Sequence, residues 1–112
     1  MFRVDNYEVS YMYVTAKGSL LKEQGANVPR KFFDKELRVV NCAIFDTEKG
    51  DVVYAEDAIC NPEDVFCKSV GRRVSLTKVL KKSEFPKELR KEFWTRYFNT
   101  VSKKERKLVC NQ

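Results

Sequence analysis

The sequence predicts an α+β domain, with an N-terminal antiparallel β-sheet followed by two C-terminal α-helices. Three observations carry this reading. Residues 7–15 alternate in the two-residue rhythm of a strand, residues 36–60 read as two strands around a turn, and beyond Pro62 the apolar spacing changes to three and four. At 112 residues the chain has room for one domain, 1–112, with one core. A chain of that size buries roughly 65% of its unfolded surface, enough to fold without staples.

Tyr7, Val9, Tyr11, Tyr13 and Thr15 alternate with Glu8, Ser10, Met12 and Val14, nearly all β-branched or aromatic, which predicts a strand over 7–15. Ala16 to Arg30 carries Gly18, Gly25, Asn27 and Pro29 and reads as a loop with one helical turn near Leu20 to Gln24. Glu36 to Asp46 is the next strand, with Leu37, Val39, Ala43 and Phe45 on one face and Val40, Cys42 and Ile44 on the other. Apolar residues on both faces predict a central strand covered from two sides, by its own chain or by a second subunit. Thr47-Glu48-Lys49-Gly50 is a turn with glycine suited to the left-handed position, and Asp51 to Cys60 returns as the third strand. The sheet therefore spans 7–60.

Asn61, Pro62, Glu63 and Asp64 together have the composition of a helix start, so a helix is predicted over 62–82. Phe66, Val70, Val74, Thr77 and Leu80 form its apolar side. Gly71 in mid-helix costs about 1 kcal/mol relative to alanine, which predicts a close neighbour there. A second helix is predicted over 86–105. Phe85, Leu89, Phe93, Tyr97, Val101, Trp94 and Phe98 span roughly 220° of its circumference, where a surface helix needs little more than 100°. So wide an apolar face predicts a homodimer, with Phe93, Trp94, Tyr97 and Phe98 at the interface.

Composition excludes several functions. With no histidine, the chain lacks the commonest general base near neutral pH and any Ser-His or Cys-His pair. There is no P-loop, glycine-rich dinucleotide turn or nucleophile elbow. Cys42, Cys60, Cys67 and Cys110 lack the two-residue gaps of a zinc knuckle, so no metal and no cofactor are expected, and free buried thiols are the simplest reading. No apolar run is long enough to span a membrane and no secretory signal stands at the N-terminus, which places the expected location in the cytoplasm. The expectation is a non-enzymatic binding protein.

Charge is segregated along the chain. Residues 1–60 hold 8 Lys/Arg and 10 Asp/Glu, a net of −2, whereas residues 61–112 hold 14 and 6, a net of +8. A field divided in this way favours an anionic partner. The candidate anion-binding residues are Lys68, Arg72, Arg73 and Asn61. Arg73 falls at the edge of the predicted apolar side, where it must snorkel, pair with Glu56 or Asp57, or face a ligand that supplies the counter-charge. A guanidinium is a planar fork of donors suited to phosphate or carboxylate. Tyr11 and Trp94 are the candidates for stacking on a base. A basic nucleic-acid-binding role is the rival reading, although no recognised DNA- or RNA-binding motif is present.

One segment resembles a known group. From Ala58-Ile59-Cys60-Asn61-Pro62-Glu63-Asp64-Val65-Phe66-Cys67-Lys68 through Gly71-Arg72-Arg73-Val74-Ser75-Leu76, about a fifth of the sequence, the chain resembles small phage-encoded accessory proteins. In these a strand ends in a Cys-x-Pro-x-Asp-x-Phe turn and a helix with Gly-Arg follows. The resemblance implies a counter-defence or host-modulating protein acting in the bacterial host cell. Some phage proteins of this layout sequester nucleotide signals of bacterial immunity; others bind and block host nucleases, which makes an inhibitor of a host nuclease or polymerase a further alternative.

Overall fold

The computed structural model describes residues 1–101. It has the expected α+β arrangement. Strands β1 (Phe2–Val4), β2 (Tyr7–Lys17), β3 (Glu36–Asp46) and β4 (Asp51–Ile59) form one antiparallel sheet in the order β1-β2-β3-β4. Helix α1 (Gly18–Glu23) follows β2, and helices α2 (Lys68–Lys82) and α3 (Lys87–Thr100) follow the sheet.

The hairpin forms where the alternation placed it. β3 pairs with β4 across the turn, and Gly50 takes the left-handed conformation at φ 74°. β3 is one of the two inner strands and pairs with all of β2, from Tyr7 opposite Asp46 to Lys17 opposite Glu36. Its two apolar faces have two different covers. Val40, Cys42 and Ile44 are buried on the helix side. Leu37 and Val39 pack on the other side under Leu21, Val28 and Phe32, from α1 and the segment after it.

β1 was not legible in the sequence. Three residues are too few to display a period, yet Phe2 and Val4 are buried against the main core. Asp5 at φ 53° makes the tight reversal that sets β1 beside β2.

α2 begins six residues later than the composition predicts. The Asn61 side chain accepts the Glu63 amide at 2.9 Å and the Asp64 amide bonds to the Asn61 carbonyl at 3.0 Å, so the capping residue closes a local turn instead of a helix. The chain stays extended at Cys67, and the first helical bond runs from the Gly71 amide to the Cys67 carbonyl. The predicted apolar side is also rotated from the real one. Ser69, Ser75, Leu76, Val79 and Leu80 are buried, while Val74 and Thr77 face outward. Buried Ser75 meets its need locally, donating to the carbonyls of Gly71 and Arg72. Gly71 does have the close neighbour its position implied: a Cβ there would overlap the Val40 side chain.

α3 ends at Thr100, because Val101 is extended (φ −74°, ψ 152°). The predicted continuation to 105 otherwise lies outside the described residues. The wide aromatic face is largely consumed within the chain. Phe93 is fully buried and stacks on Phe85 at 5.3 Å, and Tyr97 is buried against Phe2. Phe93 and Tyr97 are therefore core residues and not surface available for the expected dimer interface; of that group Phe98 is exposed and Trp94 half-buried.

Candidate anion-binding site

The buried stripe of α2 runs Ser69, Leu76, Val79, and Arg72 lies in phase with it, three residues beyond Ser69 and four before Leu76. Its guanidinium is thereby turned toward β2. There Arg72 Nη1 donates to the Tyr13 hydroxyl at 2.9 Å, and Tyr97 lies on the same hollow. Burial works against the Arg72 charge, but the tyrosine hydroxyls outweigh it and hold the pKa above the ordinary arginine value. One turn earlier, Lys68 Nζ stands 4.8 Å from the centre of the Tyr13 ring.

Beside these groups is a cavity of about 350 Å³ lined, among the described residues, by Tyr11, Tyr13, Arg72 and Tyr97 together with Met1, Phe2, Thr100 and Val101. The rings come from two elements. Odd-numbered residues of β2 face the helices, which brings Tyr11 and Tyr13 under α2, and α3 contributes Tyr97 from the core side. The Tyr11 hydroxyl is buried and has no well-formed hydrogen bond among the described residues. It interacts with the thiol of Cys42, its partner across the strand pair, and sulfur is a weak partner. Burial, then the nearby Cys42 and Tyr97, pushes the Tyr11 hydroxyl well above the usual phenol range, so it remains a neutral donor.

The structure thus gathers three of the sequence candidates, Arg72, Lys68 and Tyr11, and leaves the others apart. Arg73 is a correction. Its Nε makes a long 3.4 Å contact with the Ser69 carbonyl on its own helix and does not line the cavity. Neither acid proposed as its mate receives it: Glu56 pairs with Lys82 at 2.8 Å, and the Asp57 carboxylate accepts from Asn41 at 2.8 Å. Asn61 sits in its own turn ahead of α2 and lines the hollow beside Gly71, not the Arg72 cavity, and Trp94 packs edge-on against Tyr97 and beside Phe98. Tyr13 and Tyr97 were missed as site residues. Tyr13 was legible as a helix-side position of β2; Tyr97 was hidden in the aromatic ladder.

The cysteines divide. Cys42 and Cys60 are free thiols, and the expectation of four free thiols fails at Cys67, which is disulfide-bonded. Burial pushes Cys42 up to about 12, and burial with Asp64 raises Cys60, so neither free thiol is a primed nucleophile near neutral pH. A second hollow of about 270 Å³, under the 60–67 segment and against Gly71, is mostly apolar, with no cationic group among the described residues that line it. Among the described residues no cluster of acidic or cysteine side chains could hold a metal ion, and no helix is long and apolar enough to cross a membrane. No family model, curated protein or solved structure matches the chain.

Proposed function

We propose that this chain is a non-enzymatic binding protein that takes a small anionic molecule of the nucleotide class into the Arg72 cavity. The observation that carries the reading is the convergence of one guanidinium and three tyrosines on a single hollow of about 350 Å³, with the Lys68 ammonium 4.8 Å from the centre of the Tyr13 ring. That volume is at the lower end of the range of small-molecule sites, which suits a mononucleotide better than a long polymer. Arg72 and Lys68 supply charge for a phosphate, the Tyr11 hydroxyl supplies a donor that lacks a good partner, and the ring faces supply stacking area. Together with the resemblance to phage accessory proteins, this supports a host-modulating role in which a nucleotide signal is sequestered without being transformed.

Calorimetric titration with a panel of linear and cyclic mononucleotides tests the reading. Binding is expected for at least one member, with at least a tenfold loss in Arg72→Ala, the scale of a charge-assisted hydrogen bond of about 1.5–3 kcal/mol. No heat from any member, alongside a salt-steep affinity for DNA or RNA, would replace it with the nucleic-acid reading.

A further inference from the structure

Cys67 forms a disulfide, and its mate is not among the described residues, where Cys42 and Cys60 are both free thiols. The sequence has four cysteines, so Cys110 is the mate. Cys67 stands on the wall of the 270 Å³ hollow, with Val40, Ala58, Val65, Val70 and Val74 around it. Of these, Val65 and Val74 are 69% and 42% exposed among the described residues.

We infer that the segment after Val101 returns to this hollow, with Cys110 bonded to Cys67 and the two preceding residues, Leu108 and Val109, inserted among those aliphatic side chains. Between Val101 and Cys110 these two are the only apolar residues. A disulfide holds its Cα atoms about 4.4–6.8 Å apart. Each further residue adds at most about 3.8 Å, so Leu108 and Val109 stay within roughly 15 Å of Cys67 whatever path the rest takes.

Reach and room both suffice. Val101 lines the Arg72 cavity, and Arg72 is five residues from Cys67 along the start of α2, roughly 8 Å of helical rise. The stretch from Val101 to Cys110 extends to roughly 30 Å, so the link has slack. An apolar cavity of about 150 Å³ already accepts a benzene-sized group. At 270 Å³ this one has space for two branched aliphatic side chains.

The tether decides between occupants. Leu108 and Val109 meet the hollow at an effective concentration in the millimolar range, which an untethered apolar molecule or a second chain must exceed. Charge agrees with the choice. Residues 103–107 read Lys-Lys-Glu-Arg-Lys, while the hollow's wall carries the acid Asp64 and, among the described residues, no cation.

Peptide mapping and methyl nuclear magnetic resonance of the oxidised full chain test the two halves of the inference. Mass spectrometry of a non-reduced tryptic digest is expected to recover the Cys67 peptide joined to the Cys110 peptide, from a protein of monomer mass. Nuclear Overhauser contacts are expected from the methyls of Leu108 and Val109 to those of Val70 and Val74. The contacts from Val109 should weaken in Leu108→Asp, whose carboxylate does not enter an apolar hollow. A free Cys110 thiol, a bond that joins two chains, or an intact intrachain bond without the methyl contacts each overturns the inference. None of these readouts involves a nucleotide, so the outcome is separate from that of the ligand titration.

Discussion

Gly71 on α2 lies so close to Val40 on β3 that a single added methyl group would overlap the valine side chain. This contact seats the helix on the sheet. The next residue, Arg72, is thereby brought within 2.9 Å of the Tyr13 hydroxyl on the neighbouring strand. A backbone approach and a binding geometry are thus joined through one peptide bond.

Gly71→Ala should destabilise the protein even though alanine favours a helix. The propensity gain is about 1 kcal/mol, while overpacking a filled site costs about 1–3 kcal/mol. Val40→Ala in the same chain should relieve the overlap, so the double variant loses less than the sum of the singles. Urea unfolding of the four proteins measures that coupling.

The two ends of the α3 aromatic ladder should respond differently to truncation. Phe93 is fully buried between Phe85 and Tyr7, and Phe93→Ala should cost about 3–5 kcal/mol. Phe98 is 40% exposed, and Phe98→Ala should cost no more than about 1 kcal/mol. Thermal unfolding of the two variants separates core from surface on one helix.

Asp5 holds a left-handed backbone at φ 53°, a conformation that β-branched side chains resist. Asp5→Val should cost about 1–2 kcal/mol through that turn. Because Phe2 of β1 and the preceding Met1 line the Arg72 cavity, the same substitution should also weaken ligand binding with Arg72 untouched. Calorimetry on the folded variant reads the second effect.

Asp46 at the end of β3 accepts the Asn6 side-chain amide at 2.8 Å and the Glu48 and Lys49 backbone amides at 2.9 and 3.3 Å. Burial alone would raise its pKa, but these hydrogen bonds outweigh burial and hold it below the usual carboxylate value. A lowered folded pKa contributes stability that is present above the unfolded value and is lost as pH falls through the folded one. The stability gap between the wild type and Asp46→Ala should therefore narrow from neutral pH to about pH 3, a range that brackets ordinary aspartate titration. Denaturant unfolding at both pH values checks the sign.

The hairpin was legible because 36–46 and 51–60 are strand-like runs on either side of a short turn that Gly50 marks. The helix phase was not. Two positions of the α2 stripe are serines, and the arginine in phase with them, Arg72, looks like surface until Tyr13 is seen to receive it. Outward-facing Val74 counted as core in the sequence for the same reason. Polarity is a poor guide where a serine hydroxyl is satisfied by its own helix, as Ser75 is. Arg73 was favoured over Arg72 through that error of phase. The late start of α2 had a different cause: capping residues serve local turns as readily as helices, and the Asn61 turn was the better use of its side chain.

The central claim is that Arg72, Lys68, Tyr11 and Tyr13 act together on one anion. It is tested most directly by nuclear magnetic resonance shift mapping, with the side-chain Nε–H of Arg72 and the backbone amides followed as a mononucleotide is added. The account predicts saturable shifts at Arg72 Nε–H, Lys68, Tyr11 and Tyr13, weakened several-fold in Tyr13→Phe, while Arg73 and Asn61 stay still. Saturable shifts centred on Arg73 and Asn61, or no shift at Arg72 for any mononucleotide, would contradict it.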